Sequence, residues 1–169
     1  MRAKQISCAF TGHRPAKLPW GYLETDPRCI LLKRHIANAA EAAYQEGYRH
    51  FLCGMAQGCD LYFCESIMAL REAHPEITLE AAIPCPTQAN AWPPDQRARY
   101  ARLVASCDYE TVVSAQYTTS CMHRRDRYMV DHVSLLIAAF DGSTGGTRYT
   151  VEYALRRGVS IVDLPVPGV

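Results

Sequence analysis

The sequence predicts an α/β fold: a Rossmann-like, doubly wound, mostly parallel sheet with helices on both faces. Three observations predict it. Short apolar runs alternate with helical patterns, which is the order of βαβ units. Residues 134–140 read Ser-Leu-Leu-Ile-Ala-Ala-Phe, an apolar run typical of a strand buried on both faces. A chain of 169 residues can bury a sizeable core, so we expect a single domain over residues 1–169.

Six segments have the composition of strands, and they are 5–11, 49–53, 78–83, 109–114, 134–140 and 159–163. The predicted helices are 28–46, a helix that follows Gly58, 94–106, 122–132 and 147–157. The first ends at Gly47, and Pro94 suits the first turn of the third. Right-handed crossovers between parallel strands bring the loops that follow the strands to one edge of the sheet, where ligands bind in this architecture.

Composition limits the partners. The net charge is +1, which gives no general attraction for DNA, RNA or an anionic membrane, so nucleic acid is not expected as a partner. We find no run near the ~18 apolar residues of a membrane span and no signal peptide, so we expect a cytoplasmic protein without membrane contact. The 8 cysteines show no Cys-x-x-Cys spacing, and we expect neither a metal nor a cofactor.

The loop after the first strand carries Gly12, His13 and Arg14. The glycine permits close backbone approach, the arginine can hold a phosphate with two hydrogen bonds, and the histidine can donate a hydrogen bond or move a proton. The alternative is a polar turn stiffened by Pro15.

The loop after the second strand contains Gly54, Met55 and Gly58 and ends at Asp60 as a helix opens. Two glycines four residues apart favour a tight turn that presents helix-terminal N–H groups to a phosphate. Asp60 either caps the helix or binds a ribose hydroxyl.

Four prolines stiffen the loop after the third strand. Within it, Trp92 could stack on a base and Gln88 could read the edge of that base. A tryptophan that covers the end of the core is the alternative.

The fourth helix begins Met-His-Arg-Arg, which places Arg124 and Arg125 in its first turn. A cation there opposes the helix dipole, which is tolerable if an anion is bound nearby. Arg125 falls on the inward stripe of this helix, so we expect it to bind the anion. A surface arginine paired with an acid is the alternative.

A glycine turn, Gly145-Gly146-Thr147, leads from the fifth strand into the last helix and presents backbone N–H groups to an anion. Glu152 follows on that helix. A carboxylate near a phosphate either pairs with Arg125 or addresses the ribose, where it could assist cleavage at the anomeric carbon. A plain salt bridge explains it equally well.

Taken together, these motifs resemble the YpsA-like group of the SLOG superfamily, which also holds the LOG phosphoribohydrolases and the DprA/Smf proteins. The resemblance covers nearly the whole chain and rests on the motifs at 11–15, 54–60, 141–147 and 152–154, with Gln88 and Trp92. It implies a Rossmann-like domain that binds nucleotides or derivatives such as ADP-ribose. A homodimer with helices at its interface would fit this superfamily.

Three hypotheses follow. The first is a binding or sensing protein for a nucleotide-derived ligand. The second is a phosphoribohydrolase or N-glycosidase acting on a nucleoside monophosphate. The match of Met122-His123-Arg124-Arg125 to the LOG Met-His-x-Arg segment implies that Arg125 is catalytic. A partial match of Gly145, Gly146 and Glu152 to the LOG Gly-Gly-x-Gly-Thr-x-x-Glu turn implies the same of Glu152. The third, single-stranded DNA binding like that of DprA, fits least, because no basic stripe with interleaved aromatic residues is present.

Overall fold

Six parallel strands form the centre of the computed structural model, which describes residues 3–168. The strands are β1 (Ser7–Gly12), β2 (His50–Cys53), β3 (Thr78–Ile83), β4 (Tyr109–Val112), β5 (Leu135–Ala139) and β6 (Ser160–Leu164). The helices are α1 (Pro27–Gln45), α2 (Cys59–Ala73), α3 (Pro94–Ser106), α4 (Cys121–Asp131) and α5 (Gly146–Arg156). Short 3-10 turns occupy Lys4–Ile6 and Pro15–Lys17. The predicted Rossmann-like fold class is therefore confirmed, with every strand pair parallel.

The strand order is β4-β3-β2-β1-β5-β6. The chain builds outward from β1 in one direction through β4, then crosses back to place β5 on the other side of β1. The point where the direction reverses opens a crevice beyond the carboxyl ends of β1 and β5. The loops after these two strands therefore meet at one place, which the following subsection describes.

Alternate residues of the strands contribute their side chains to two separate apolar layers. Phe10 of β1 packs with α1 and α2, and its ring stacks on Phe63 at 4.7 Å between centroids. Its neighbour Ala9 faces the opposite layer, together with Leu136 and Ala138 of β5 and the inward residues of α4 and α5. All five residues of β5 are buried, as the apolar run predicted.

The bounds of β3 and α3 match the sequence predictions, and the other boundaries differ from them by at most two residues. Residues 4–6 form a 3-10 turn, so β1 begins at Ser7 rather than at residue 5. The helix α4 begins at Cys121, one residue before the predicted start, and Arg125 consequently lies in its second turn rather than its first. All eight cysteines are free thiols. Within residues 3–168, no helix combines the length and the apolar character that crossing a membrane requires.

Candidate functional site

A cleft of ≈ 370 Å³ lies at the switch point between β1 and β5. Its walls come from the loop after β1, the loop before α2, the inner face of α4 and the start of α5. The residues that line it are Thr11, Gly12, His13, Arg14, Ala16, Lys17, Ala56, Asp60, Met122, His123, Arg125, Asp126, Met129, Gly146 and Thr147. Four segments that are distant in sequence therefore share one cleft, as expected for loops at the carboxyl edge.

His13 is a fixed group in the wall of the cleft. Its ring is buried, and its Nε2 lies 2.8 Å from Oδ1 of Asp141, the residue that follows Phe140 after β5. Hydrogen bonds from Ser143, together with His13, hold the pKa of the Asp141 carboxyl well below its usual range. The backbone N–H of Asp141 lies 3.2 Å from the same Nε2, so both the side chain and the backbone of Asp141 contact this nitrogen and hold the ring in place.

Two cations stand at the mouth of the cleft. The exposed Arg14 guanidinium donates only to the sulfur of Met122, at 3.6 Å, and makes no ion pair with any residue between 3 and 168. Nζ of Lys17 contacts the carbonyl oxygen of Thr144 and lies 3.4 Å from the hydroxyl of Ser143, which ties it to the loop before α5. Arg14 is thus free to bind an anion.

The amino end of α5 supplies further donors on the same side. The helix starts at Gly146 and has no side chain capping its first turn. The first N–H groups of a helix have no partner within it, and the helix dipole makes this end electropositive. Gly146 and the buried Thr147 line the cleft, while Gly145 precedes them as the capping residue.

Gly58 is required by the turn between β2 and α2. Its φ of +82° is left-handed, and a Cβ there would lie 2.8 Å from the carbonyl oxygen of His13. The N–H of Cys59 donates to that same oxygen at 3.2 Å. Gly58 therefore locks the β1 loop against the start of α2 and positions His13, although it does not itself line the cleft. The neighbouring Met55, with φ 58°, is also left-handed and fully buried.

Asp60 is a buried carboxyl in the cleft wall. The N–H of Ala56 donates to its Oδ2 at 3.1 Å, so the side chain closes the turn that precedes the helix. Burial raises the pKa of Asp60 to about 6, against the opposing effect of Arg125. The group therefore exchanges a proton near neutral pH, unlike an ordinary aspartate.

We expect Asp60 to make the protein less stable as the pH rises from about 4 to about 6. In this window the folded state keeps a proton that the unfolded chain releases, so the stabilisation is present below the lower value and lost above the upper one. A shift of this size corresponds to roughly 2–3 kcal/mol in the free energy of unfolding. Urea denaturation at several pH values should show the fall in the wild type and a smaller one in Asp60→Asn. Equal pH profiles would contradict it.

Arg125 lies in the inner wall of the cleft and is only 4% exposed. Its Nε donates to Asp126 at 2.7 Å, and its Nη1 donates to the carbonyl oxygen of Gly54 and to Gln88, the latter at 3.4 Å. A Cβ on Gly54 would lie 2.6 Å from Nη1, so only glycine permits this approach. Burial favours the neutral form, but Asp126 and Asp60 outweigh it and raise the pKa of Arg125.

Seven of the fourteen predicted contact residues do not line the cleft, and they are Gly54, Met55, Gly58, Gln88, Trp92, Gly145 and Glu152. Glu152 is exposed on α5, where its Oε1 accepts from Nε of Arg148 at 2.9 Å rather than from Arg125. Trp92 packs edge-to-face on Tyr100, with 5.2 Å between centroids, and lines with Gln88 and Arg14 a separate pocket of ≈ 40 Å³. Gln88 and Gly54 contact Arg125 and so support the wall from behind.

Four residues to which the sequence analysis assigned no binding role also contribute to the site, and they are Lys17, His123, Asp126 and Asp141. Asp141 could have been found, because it follows a buried strand on the side where ligands bind. Lys17 gives no sequence signal. It reaches Ser143 and Thr144 only because the 3-10 turn after Arg14 places it beside them.

The chain is similar to a known protein family and to curated proteins over most of its length. A model of the YspA SLOG family matches residues 8–159. The uncharacterised prophage-derived protein YoqJ of Bacillus subtilis is 29% identical over 142 residues, covering 76% of this chain and 83% of that protein. The protein YpsA of Bacillus subtilis is 24% identical over 153 residues, covering 88% and 84% respectively.

Two solved structures share the fold. One, from a study of the single-stranded DNA binding mode of DNA processing protein A of Helicobacter pylori, superposes with a TM-score of 0.64 at 16% identity. The same protein from Streptococcus pneumoniae gives 0.63 at 15%. Each covers 96% of this chain, which spans 66% and 51% of the two structures. At these identities the likeness concerns the fold.

Proposed function

We propose that this chain, which belongs to the YspA SLOG family, binds a nucleotide or nucleotide-derived ligand in the switch-point cleft. One observation carries the proposal. The unpaired guanidinium of Arg14 and the uncapped amino end of α5 meet at a cleft of ≈ 370 Å³. Both groups recognise phosphate, one through charge-assisted hydrogen bonds and the other through backbone N–H groups. Lys17 adds a second cation at the same mouth.

The cleft also separates its charges in a way that suits a phosphate joined to a sugar. The cations Arg14 and Lys17 lie at the mouth, whereas Asp60 lies in the buried wall. Asp126 is paired with Arg125, and Asp141 is paired with His13, so neither residue leaves an unpaired carboxylate in the site. A ligand with its phosphate at the mouth would therefore bring its hydroxyl groups toward Asp60 and His13.

We expect Arg14→Ala to weaken binding of AMP and ADP-ribose about tenfold or more, because it removes a charge-assisted contact to phosphate. Thermal shift and calorimetric titration would measure the change. The matched control is Arg124→Ala, which removes an exposed arginine outside the cleft and should leave affinity unchanged. No binding by the wild type across a panel of nucleotides, or equal losses in both variants, would contradict the proposal.

A second candidate is hydrolysis of the N-glycosidic bond of a nucleoside monophosphate. It is favoured by Asp60, whose pKa of about 6 allows a carboxyl to donate a proton to a leaving base. In this candidate Asp60 replaces Glu152 as the acidic group, since Glu152 lies outside the cleft, and Arg125 acts by holding the wall. Incubation with nucleoside monophosphates and chromatography for free base would test it. An Asp60→Asn variant that binds without cleaving would support it, and intact nucleotides throughout would remove it.

Two further partner classes stay predictions. The study of the Helicobacter pylori protein concerns single-stranded DNA, and for this chain such binding is the least expected, because a net charge of +1 offers little attraction for a polyanion. A gel shift at low salt checks it, and displacement of AMP by an oligonucleotide would place that DNA in the cleft. A homodimer can be measured by light scattering on the eluting protein.

A further inference from the structure

An aromatic pair closes the side of the cleft formed by α4 and α5. The exposed ring of His123 lines the cleft and stacks on Tyr149, with 3.8 Å between centroids and 13° between planes. No hydrogen bond joins a ring nitrogen of His123 to another described residue, and the residue is exposed to solvent. Stacking on Tyr149 is therefore the contact that orients this ring.

Two hydrogen bonds hold Tyr149, the second ring of this pair, in place. Nη1 of Arg127 donates to the hydroxyl of Tyr149 at 2.7 Å, and the backbone N–H of Tyr149 donates to the carbonyl oxygen of Gly145 at 3.0 Å. Tyr153 lies parallel to Tyr149 one turn further on, at 6.5 Å. Because one face of His123 rests on a fixed ring, a planar group can add to its other face without reordering the site.

The pair also lies near the amino end of α5, which supplies the phosphate donors. Tyr149 follows Gly146 by three residues, a rise of about 4.5 Å along α5. Tyr149 therefore lies within about one turn of the helix end at which we place the phosphate, so the base of the same ligand can reach the side of the cleft that carries His123.

We propose that His123, backed by Tyr149, is a stacking platform for the planar base of the ligand, so that the cleft selects nucleoside phosphates over plain sugar phosphates. This inference rests on the proposed binding of a phosphate ligand in the same cleft. It assigns the base to the α4–α5 side and not to Trp92, which packs on Tyr100 beside the smaller pocket.

Calorimetric titration with AMP and with ribose 5-phosphate separates the two contributions. The wild type should bind AMP about tenfold or more tightly than ribose 5-phosphate, because stacking of a base on an aromatic side chain contributes a factor of this size. His123→Ala should lose this preference and keep the affinity for ribose 5-phosphate. His123→Phe, which preserves the stack, should retain the preference and controls for damage to the fold.

The outcomes are distinguishable. Equal affinities of the wild type for the two probes, or an unchanged preference in His123→Ala, would overturn the platform and leave phosphate binding in place. Loss of the preference in His123→Phe as well would overturn stacking and assign the effect to the ring nitrogens. If the wild type binds neither probe, the proposed function itself fails, and the platform with it.

Discussion

Replacing Arg125 by alanine should lower the free energy of unfolding by about 3–5 kcal/mol, because it removes one partner of a buried ion pair. The change leaves the buried Asp126 without its cation, and it removes one hydrogen-bond donor from the carbonyl oxygen of Gly54 and one from the Gln88 side chain. Asp60 loses the positive charge that does most to lower its pKa. Urea denaturation followed by circular dichroism would measure the loss.

The dependence on pH gives this prediction a second readout. The destabilisation should be smaller at acidic pH, where Asp60 accepts a proton and needs no cation, than at neutral or alkaline pH. Arg124→Ala is the matched control: the neighbouring arginine is exposed, and its removal should change stability by no more than about 0.5 kcal/mol. If the two substitutions lower the stability by similar amounts at neutral pH, Arg125 is not held in the cleft wall by the contacts described above.

This result bears on how Arg125 should be tested for ligand binding. Loss of binding in Arg125→Ala would follow from damage to the wall even if the guanidinium never touched a ligand. Arg14, which is exposed and has no acidic partner among residues 3–168, reports on phosphate binding without that ambiguity. The inward position of Arg125 was predictable from helical spacing, but its hydrogen-bond partners come from the loop after β2, from the loop after β3 and from its own helix. Only the folded chain brings them together.

The fold was predictable because its signals are local. The apolar run at 134–140 and the alternation of strands with helices depend on neighbouring residues alone, and the parallel sheet follows from general rules of connection. The edge at which the site lies follows from the same rules. Boundaries shifted where a local alternative competes, as at Lys4–Ile6, where a 3-10 turn replaces the first residues of the predicted strand.

The roles of individual side chains were harder to predict, and Glu152 illustrates the reason. The buried residues of α5 are Thr147, Thr150, Val151 and Ala154, a stripe at helical spacing that leaves Glu152 on the outer face. The sequence already contains that stripe, so the outward position of Glu152 could have been predicted from it. His13 differs, since its partner Asp141 lies 128 residues away and the contact exists only because β5 returns beside β1.

The turn that fixes His13 gives the second large expected effect. Gly58→Ala should destabilise the protein by roughly 3 kcal/mol, as the sum of a left-handed backbone and overpacking. The new Cβ would lie 2.8 Å from the carbonyl oxygen of His13 and 3.0 Å from Pro15, and neither the backbone nor a proline ring can yield easily. Relief requires α2 to move away from the β1 loop, which would also shift His13 and Arg14, so AMP affinity should fall together with stability.

Gly158→Ala isolates the contribution of space from that of backbone conformation. Gly158 has a left-handed φ of +71°, close to the +82° of Gly58, but a Cβ there meets nothing within 4 Å. Its substitution should therefore lower stability by only about 1–2 kcal/mol and leave AMP binding unchanged, since it lies at the far end of α5. The difference between the two alanine variants in thermal denaturation measures how tightly α2 and the β1 loop are locked. If the two variants lose equal stability, the close contact at Gly58 adds nothing to the cost of the substitution. In that case α2 and the β1 loop can move relative to each other.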